Sequence, residues 1–148
     1  MTPKAKASKA MSRYVRLRDA IAYCKEYNID LRQFSKPEDI IGKCSTCGTV
    51  KAWLYMDAGH WKTRGMGGSS GAYFMPENVH LQCKRCNAFE SGRPTEMENY
   101  IREKYGDDIV SDITLQHHIR QRRSGVEYAA MEELYKQEYK QLIEENGL

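Results

Sequence analysis

The chain has no apolar stretch approaching the roughly 20 consecutive residues that a bilayer-spanning helix needs. Lys4, Lys6 and Lys9 open the sequence with no apolar segment behind them, which argues against a secretory leader. A cytosolic protein is the expectation. Length is also modest: 148 residues make about one domain. A chain this short buries only about two-thirds of its unfolded surface, so a metal staple would add useful stability. Net charge is small, at +3, and nothing repeats internally except one short cysteine pattern.

The charge that is present is unevenly placed. Six basic residues and one acidic residue occupy positions 1–20. Positions 42–93 hold Lys43, Lys51, Lys62, Arg64, Lys84, Arg85 and Arg93 against Asp57, Glu77 and Glu90. Positions 126–148 carry six glutamates and two lysines. A basic front with an acidic tail suits a polyanionic ligand held by one region.

Lys, Ala and Ser dominate the start, so residues 1–11 read as a disordered basic arm. The 12–41 segment reads as an N-terminal helix and a connection. Leu17, Ala20, Ile21, Cys24 and Tyr27 share one face, which makes Cys24 a small buried hydrophobe. Residues 50–56 and 78–82 have the composition of short strands, and the glycines from Gly65 to Gly71 predict a flexible loop between them. The 94–148 segment predicts helices opening at Thr95 and Ser124 on capping-box patterns, with a further helix between them. The last one is amphipathic through Ala130, Leu134, Tyr135, Tyr139, Leu142 and Ile143; it either closes the monomer core or offers a dimer surface.

Two Cys-x-x-Cys pairs, Cys44/Cys47 and Cys83/Cys86, are the strongest local signal. In a reducing compartment they read as four thiolate ligands completing a tetrahedron around structural Zn²⁺. A redox pair does not normally occur twice in one small domain. The spacer holds more than a return strand: Asp57-Ala58-Gly59-His60, then the glycine-rich loop, then Asn78-Val79-His80. Asn87 and Glu90 follow the second pair at a spacing that shares one face of an α-helix. His60 on a strand can face them. An imidazole and oxygen donors around one hard cation suit phosphodiester hydrolysis: the imidazole takes a proton from water, and Mg²⁺ neutralises charge on the phosphate and leaving oxygen.

This order of motifs is similar to that of zinc-stapled HNH nucleases. The segments Cys44-Ser45-Thr46-Cys47-Gly48, Asp57-Ala58-Gly59-His60, Arg64-Gly65, Asn78-Val79-His80-Leu81-Gln82-Cys83, Arg85-Cys86-Asn87 and Ser91-Gly92 resemble the NinG/Rap family of phage recombination nucleases. The likeness covers residues 43–106, with a weaker one in the C-terminal helices. Cys83-Lys84-Arg85-Cys86-Asn87-Ala88-Phe89-Glu90 also resembles a stretch of the phage junction resolvase endonuclease seven.

The resemblance implies an α+β fold with a zinc-stapled ββα-metal (HNH) core over 42–93, an N-terminal helix and two or three C-terminal helices. It implies His60 as general base, Asn87 as a ligand of catalytic Mg or Mn, Glu90 as a further site carboxylate, and Asn78 as the residue that steadies the loop. HNH sites place an Asp or His before the base, where this chain has Gly59; Asp57 or His80 would replace that ligand. Lys62, Arg64, Lys84 and Arg85 would contact DNA phosphates. The implied function is Mg-dependent cleavage of branched recombination intermediates, such as Holliday junctions and D-loops, by a homodimer in the cytoplasm of a phage-bearing host cell. A generic HNH nicking or packaging nuclease, and a non-catalytic zinc-knuckle DNA-binding protein, are the alternatives.

Overall fold

The structure is a computed structural model that describes residues 1–63 and 70–148. The fold is α+β, with four α-helices and two separate two-stranded antiparallel hairpins among the described residues. Most of the glycine-rich segment, and the loop expected there, falls outside the described residues.

Helix α1 (Pro3–Glu26) is the spine. It begins where the sequence suggests a loose arm, and this corrects the expectation of disorder over 1–11. The Thr2 side chain caps it by accepting from the Ala5 N–H at 3.1 Å, and Pro3 has the fixed φ that suits a first turn. Lysines hide a narrow apolar stripe here. Ala7, Met11 and Val15, four residues apart, are fully buried against Phe74, Val79, Tyr128 and Tyr135. Tertiary burial, and not composition, holds this end of the helix.

Strand β1 (Ile41–Lys43) pairs with β2 (Val50–Ala52), and β3 (Asp57–His60) pairs with β4 (Val79–Gln82). In the second hairpin Asp57 lies opposite Gln82 and His60 opposite Val79. The strand expected over 50–56 stops at Ala52. A single 3₁₀ turn, Trp53–Tyr55, follows, and buried Trp53 donates its indole N–H to the Pro37 carbonyl at 2.7 Å. Gly42 is where β1 meets α1. A Cβ there would collide with the Leu81 side chain and lie 3.1 Å from the Ala20 backbone.

Three further helices complete the chain: α2 (Pro94–Tyr105), α3 (Asp107–His117) and α4 (Gly125–Glu145). Helix α2 starts after Arg93, which has φ +47°, and not on the Thr95 capping box. At α4 the Ser124/Glu127 capping box is formed. The apolar face of α4 is spent on α1: Tyr128 and Tyr135 are buried, and Tyr139, Leu142 and Ile143 join the core around Leu17 and Trp53. Most of that face closes the monomer core, while Ala130 and Leu134 of the expected stripe stay exposed. No helix among the described residues is long and apolar enough to cross a membrane.

Candidate functional site

The two cysteine pairs meet where β1 and β4 end. After β1, the Cys44 N–H donates to the Thr49 carbonyl at 2.8 Å and the Gly48 N–H to the Cys44 carbonyl at 3.0 Å. Gly48 takes φ +82°, which favours glycine. After β4, the Cys83 N–H donates to Cys44 Sγ at 3.2 Å and the Cys86 N–H to Cys83 Sγ at 3.5 Å. All four sulfurs lie within 4.8 Å of one another, with Cys47 and Cys83 3.7 Å apart. A tetrahedron with bonds of about 2.3 Å has edges of about 3.8 Å, so the cluster fits a structural metal such as zinc.

The thiols of the cluster are shifted in opposite directions. Burial opposes ionisation of Cys47, but hydrogen bonding with Thr49 outweighs it and brings the thiol down to about 6. Burial and the neighbouring thiols push Cys83 up to about 12. A metal bound here would hold all four as thiolates and would offset the burial that opposes their ionisation.

Beside this cluster, β3 contributes Asp57 and His60, and the turn after Cys86 contributes Asn87. Together they line one wall of an open cleft of about 380 Å³. Asn87 donates its Nδ2 to Asp57 Oδ2 at 3.1 Å, which leaves the amide oxygen as a ligand atom. Lys84 Nζ lies 2.7 Å from Asp57 Oδ1. The His60 ring stacks on Tyr73, with centroids 4.1 Å apart and planes at 16°. The Tyr73 hydroxyl lies 3.0 Å from Ser8 Oγ of α1. Past His60 and Asn87 the cleft continues into a recess reached by Thr63, Ser91 and Gly92.

Asn78 is fully buried and ties the chain that leaves β3. It accepts from the Lys62 N–H and donates to the Lys62 carbonyl, both at 2.8 Å, and donates also to the Ala72 carbonyl at 3.0 Å. The neighbouring Trp61 N–H donates to the Asn78 carbonyl at 2.9 Å.

Two candidate residues lie elsewhere. His80 is wholly buried: Nε2 contacts the Glu77 carbonyl at 2.9 Å, and Nδ1 lies 3.3 Å from Asp19 Oδ2. All four residues of β4 are interior, so a histidine at this position cannot reach the cleft. Of the two residues weighed for the position before His60, Asp57 is the one that lines the cleft. Gly59 itself has no room for a side chain, because a Cβ would run into Gln82. Gln82 is held there by bonds to Thr46 Oγ1 at 3.0 Å and the Gly92 carbonyl at 2.8 Å.

Glu90 is the second correction. The chain makes a π-helical turn, Arg85–Phe89, in place of an α-helix, so positions 87 and 90 do not share a face. Glu90 turns outward to Arg93 at 3.4 Å and Arg85 at 3.9 Å. His117, read as surface, is half buried, with Nδ1 2.8 Å from Ser70 Oγ.

Of the basic residues, Lys84 and Arg85 are exposed, and Lys62 is half buried with Nζ 4.5 Å from the centre of the Trp61 ring. Arg64 lies outside the described residues. The cleft also has members that the sequence reading missed: Ser8, Ser12 and Arg16 of α1, and Tyr73. The four-residue spacing of the first three was a readable signal, but only once the helix is known to begin at Pro3.

The family model described as Bacteriophage Lambda NinG protein matches residues 4–145. Protein ninG of Escherichia phage 933W is 28% identical over 120 residues, covering 81% of this chain and 58% of that protein. The Protein ninG sequences of Escherichia phage lambda and Salmonella phage P22 are also 28% identical over 120 residues, covering 57% of each. The chain thus spans less than two-thirds of the length of these curated relatives. No solved structure matches. The family match runs from the first turn of α1 through the cleft and the cysteine cluster to the end of α4, and the chain belongs to the NinG family of bacteriophage proteins.

Proposed function

We propose that this chain is a metal-dependent endodeoxyribonuclease of the HNH, ββα-metal kind that acts on branched recombination intermediates such as Holliday junctions and D-loops. One observation carries the reading: an imidazole, a carboxylate and an amide from His60, Asp57 and Asn87 share one open cleft beside a closed four-cysteine cluster. Zinc in the cluster would hold the two hairpins together. The donor set in the cleft is oxygen-rich and suits Mg²⁺ or Mn²⁺. A cation bound there would neutralise charge on the phosphate and leaving oxygen.

The chain's own groups have separable tasks. His60 takes the proton of the attacking water, and Tyr73 fixes the plane of its ring. Asp57 and Asn87 would hold the cation, which would take the place of Lys84 on the Asp57 carboxylate. Asn78 sets the path of the backbone after His60. Lys62, Lys84 and Arg85 meet phosphates, which positions DNA without reading its sequence.

Support for a branched substrate comes from the motif resemblance. Resolution requires two cuts and one such site makes one, so a homodimer is part of the proposal. Tyr128, Tyr135, Tyr139, Leu142 and Ile143 of α4 pack on the core, which leaves exposed Val126, Ala130 and Leu134 as the part of that helix free to meet a partner.

A plasmid-nicking assay with and without Mg²⁺ or Mn²⁺ tests the chemistry. Metal-dependent nicking supports it, whereas binding without nicking identifies a zinc-knuckle DNA-binding protein. Sedimentation, together with competition between a four-way junction and matched linear duplex, tests the rest. A monomer that cuts both at equal rates is a generic nicking nuclease.

A further inference from the structure

Helix α1 packs the core with one face and borders the cleft with another. Ser8, Ser12 and Arg16, one turn apart, line the same cleft as Asp57, His60 and Asn87. Three arginines lie close together on this helix, and two have carboxylate partners: Arg13 pairs with Glu38 at 3.3 Å and Arg18 with Asp19 at 2.8 Å. Arg16 forms no ion pair among the described residues.

Arg16 is nevertheless half buried and held in one pose. Its Nε donates to the Ser12 carbonyl and its terminal NH1 to the Met56 carbonyl, both at 3.3 Å, and its Cζ lies 5.0 Å from the centre of the Trp53 ring. The carbonyls fix the guanidinium without neutralising it. Asp57 is near enough to favour the charge, but that carboxylate already bonds Lys84 and Asn87. A cation drawn partly out of water without a direct ion pair costs free energy that a bound anion would offset. A guanidinium has five N–H donors in a planar fork that matches phosphate, and two are used here. The carbonyl that anchors Arg16 belongs to the residue directly before Asp57. The free side of the fork is therefore registered to the candidate cation ligand through one peptide unit.

We propose that Arg16 binds a phosphate oxygen of the DNA strand lying in the cleft, clamping that strand between α1 and the β3–β4 hairpin. This rests on the nuclease reading above. It makes the N-terminal helix part of the substrate site, and Arg16 a substrate-binding residue distinct from the exposed lysines at the rim.

The test uses the whole protein and an oligonucleotide cut at a mapped position. Single neutral methylphosphonate linkages are placed in turn at the scissile phosphate and at its two neighbours. Arg16→Gln is expected to slow cleavage of unmodified DNA by roughly 10²-fold, the cost of losing one fixed donor to a reacting phosphate. Arg16→Lys, which keeps the charge and loses the fork, should fall between the two. One modified linkage should slow the wild type strongly and Arg16→Gln by less than about 2-fold, the non-additivity of two groups in contact. Additive losses at all three linkages, or wild-type cleavage by Arg16→Gln, overturn the proposal. If both variants lose zinc or unfold, Arg16 serves to pin Met56, and the proposal is likewise overturned. The same comparison read as DNA binding in magnesium-free buffer separates the two readings. A wild type that binds but never cuts sinks the nuclease, while a binding loss confined to one charged linkage still supports the clamp.

Discussion

Asp19→Ala should be among the most damaging single changes outside the metal cluster. The Asp19 carboxylate points inward from α1, and Oδ2 accepts the Leu81 N–H at 2.8 Å and lies 3.3 Å from His80 Nδ1. Its Oδ1 accepts from Arg18 Nε at 2.8 Å, and Arg18 in turn donates to the carbonyls of Pro76, at 3.1 Å, and Val79, at 2.8 Å. This network joins α1 to the strand that backs the cleft. Burial alone would raise the Asp19 carboxyl, but Arg18 and His80 outweigh it and hold it well below the usual range. A carboxylate with a lowered folded pKa contributes stability above its unfolded value of about 3.9, and that contribution disappears only as pH falls through the folded value. It is fully present at neutral pH. Truncation strands a buried N–H and removes the counter-charge of Arg18, for a loss of roughly 3–5 kcal/mol. At about 2–4 °C per kcal/mol for a chain this size, the midpoint should fall by roughly 10 °C. Asp19→Asn keeps one acceptor and should lose about 1–3 kcal/mol. Thermal unfolding followed by circular dichroism in zinc-containing buffer measures both. An Asp19→Ala protein less than about 1 kcal/mol below the wild type would refute the assignment of this network as a structural tie.

Metal analysis should find one zinc per folded chain, and Cys83→Ser should unfold the core, since such binding contributes on the order of 10 kcal/mol; folded protein free of zinc would remove the claim. His60→Ala should keep its zinc and its DNA binding while cleavage falls by about 10²–10⁴; cutting at the wild-type rate would mean that another group is the base. Asn87→Ala should recover part of its activity when Mg²⁺ is raised or Mn²⁺ substituted, and a deficit insensitive to metal would take Asn87 off the cation. Neutralising Lys62, Lys84 or Arg85 one at a time should weaken binding evenly across sequences and flatten the salt slope by about one unit, whereas an altered sequence preference would place that residue against a base.

Sequence signals were sufficient where one residue type had one physical outcome. The paired cysteines meet, the Ser124 capping box starts α4, and Gly106 ends α2 with φ +93°. They were insufficient where the outcome depended on what packs outside the segment. Thr2, Pro3 and the Ala/Lys composition allow a helix over residues 3–11, but Ala7 and Met11 become a buried stripe only because Tyr128 and Tyr135 arrive from the far end of the chain.

The two misplaced site residues have different causes, an irregular turn for Glu90 and an enclosed strand for His80. Spacing arguments assume a regular element, and the chain leaves regularity at the cleft. Asn87 and Glu90 would be neighbours on an α-helix, but the π turn and the left-handed Ser91 beyond it send Glu90 to Arg93. His60 and His80 look interchangeable as histidines on paired strands. They differ because β3 is partly open, whereas β4 is enclosed along its whole length by α1 and its neighbours. Val79-His80-Leu81-Gln82 alternates apolar and polar, the pattern of a strand with one face in water, yet all four residues are buried, so neither face is open. On such a strand a histidine needs an internal partner, and Asp19 is that partner, so His80 serves to join helix and hairpin while the cleft falls to the strand that retains an open face.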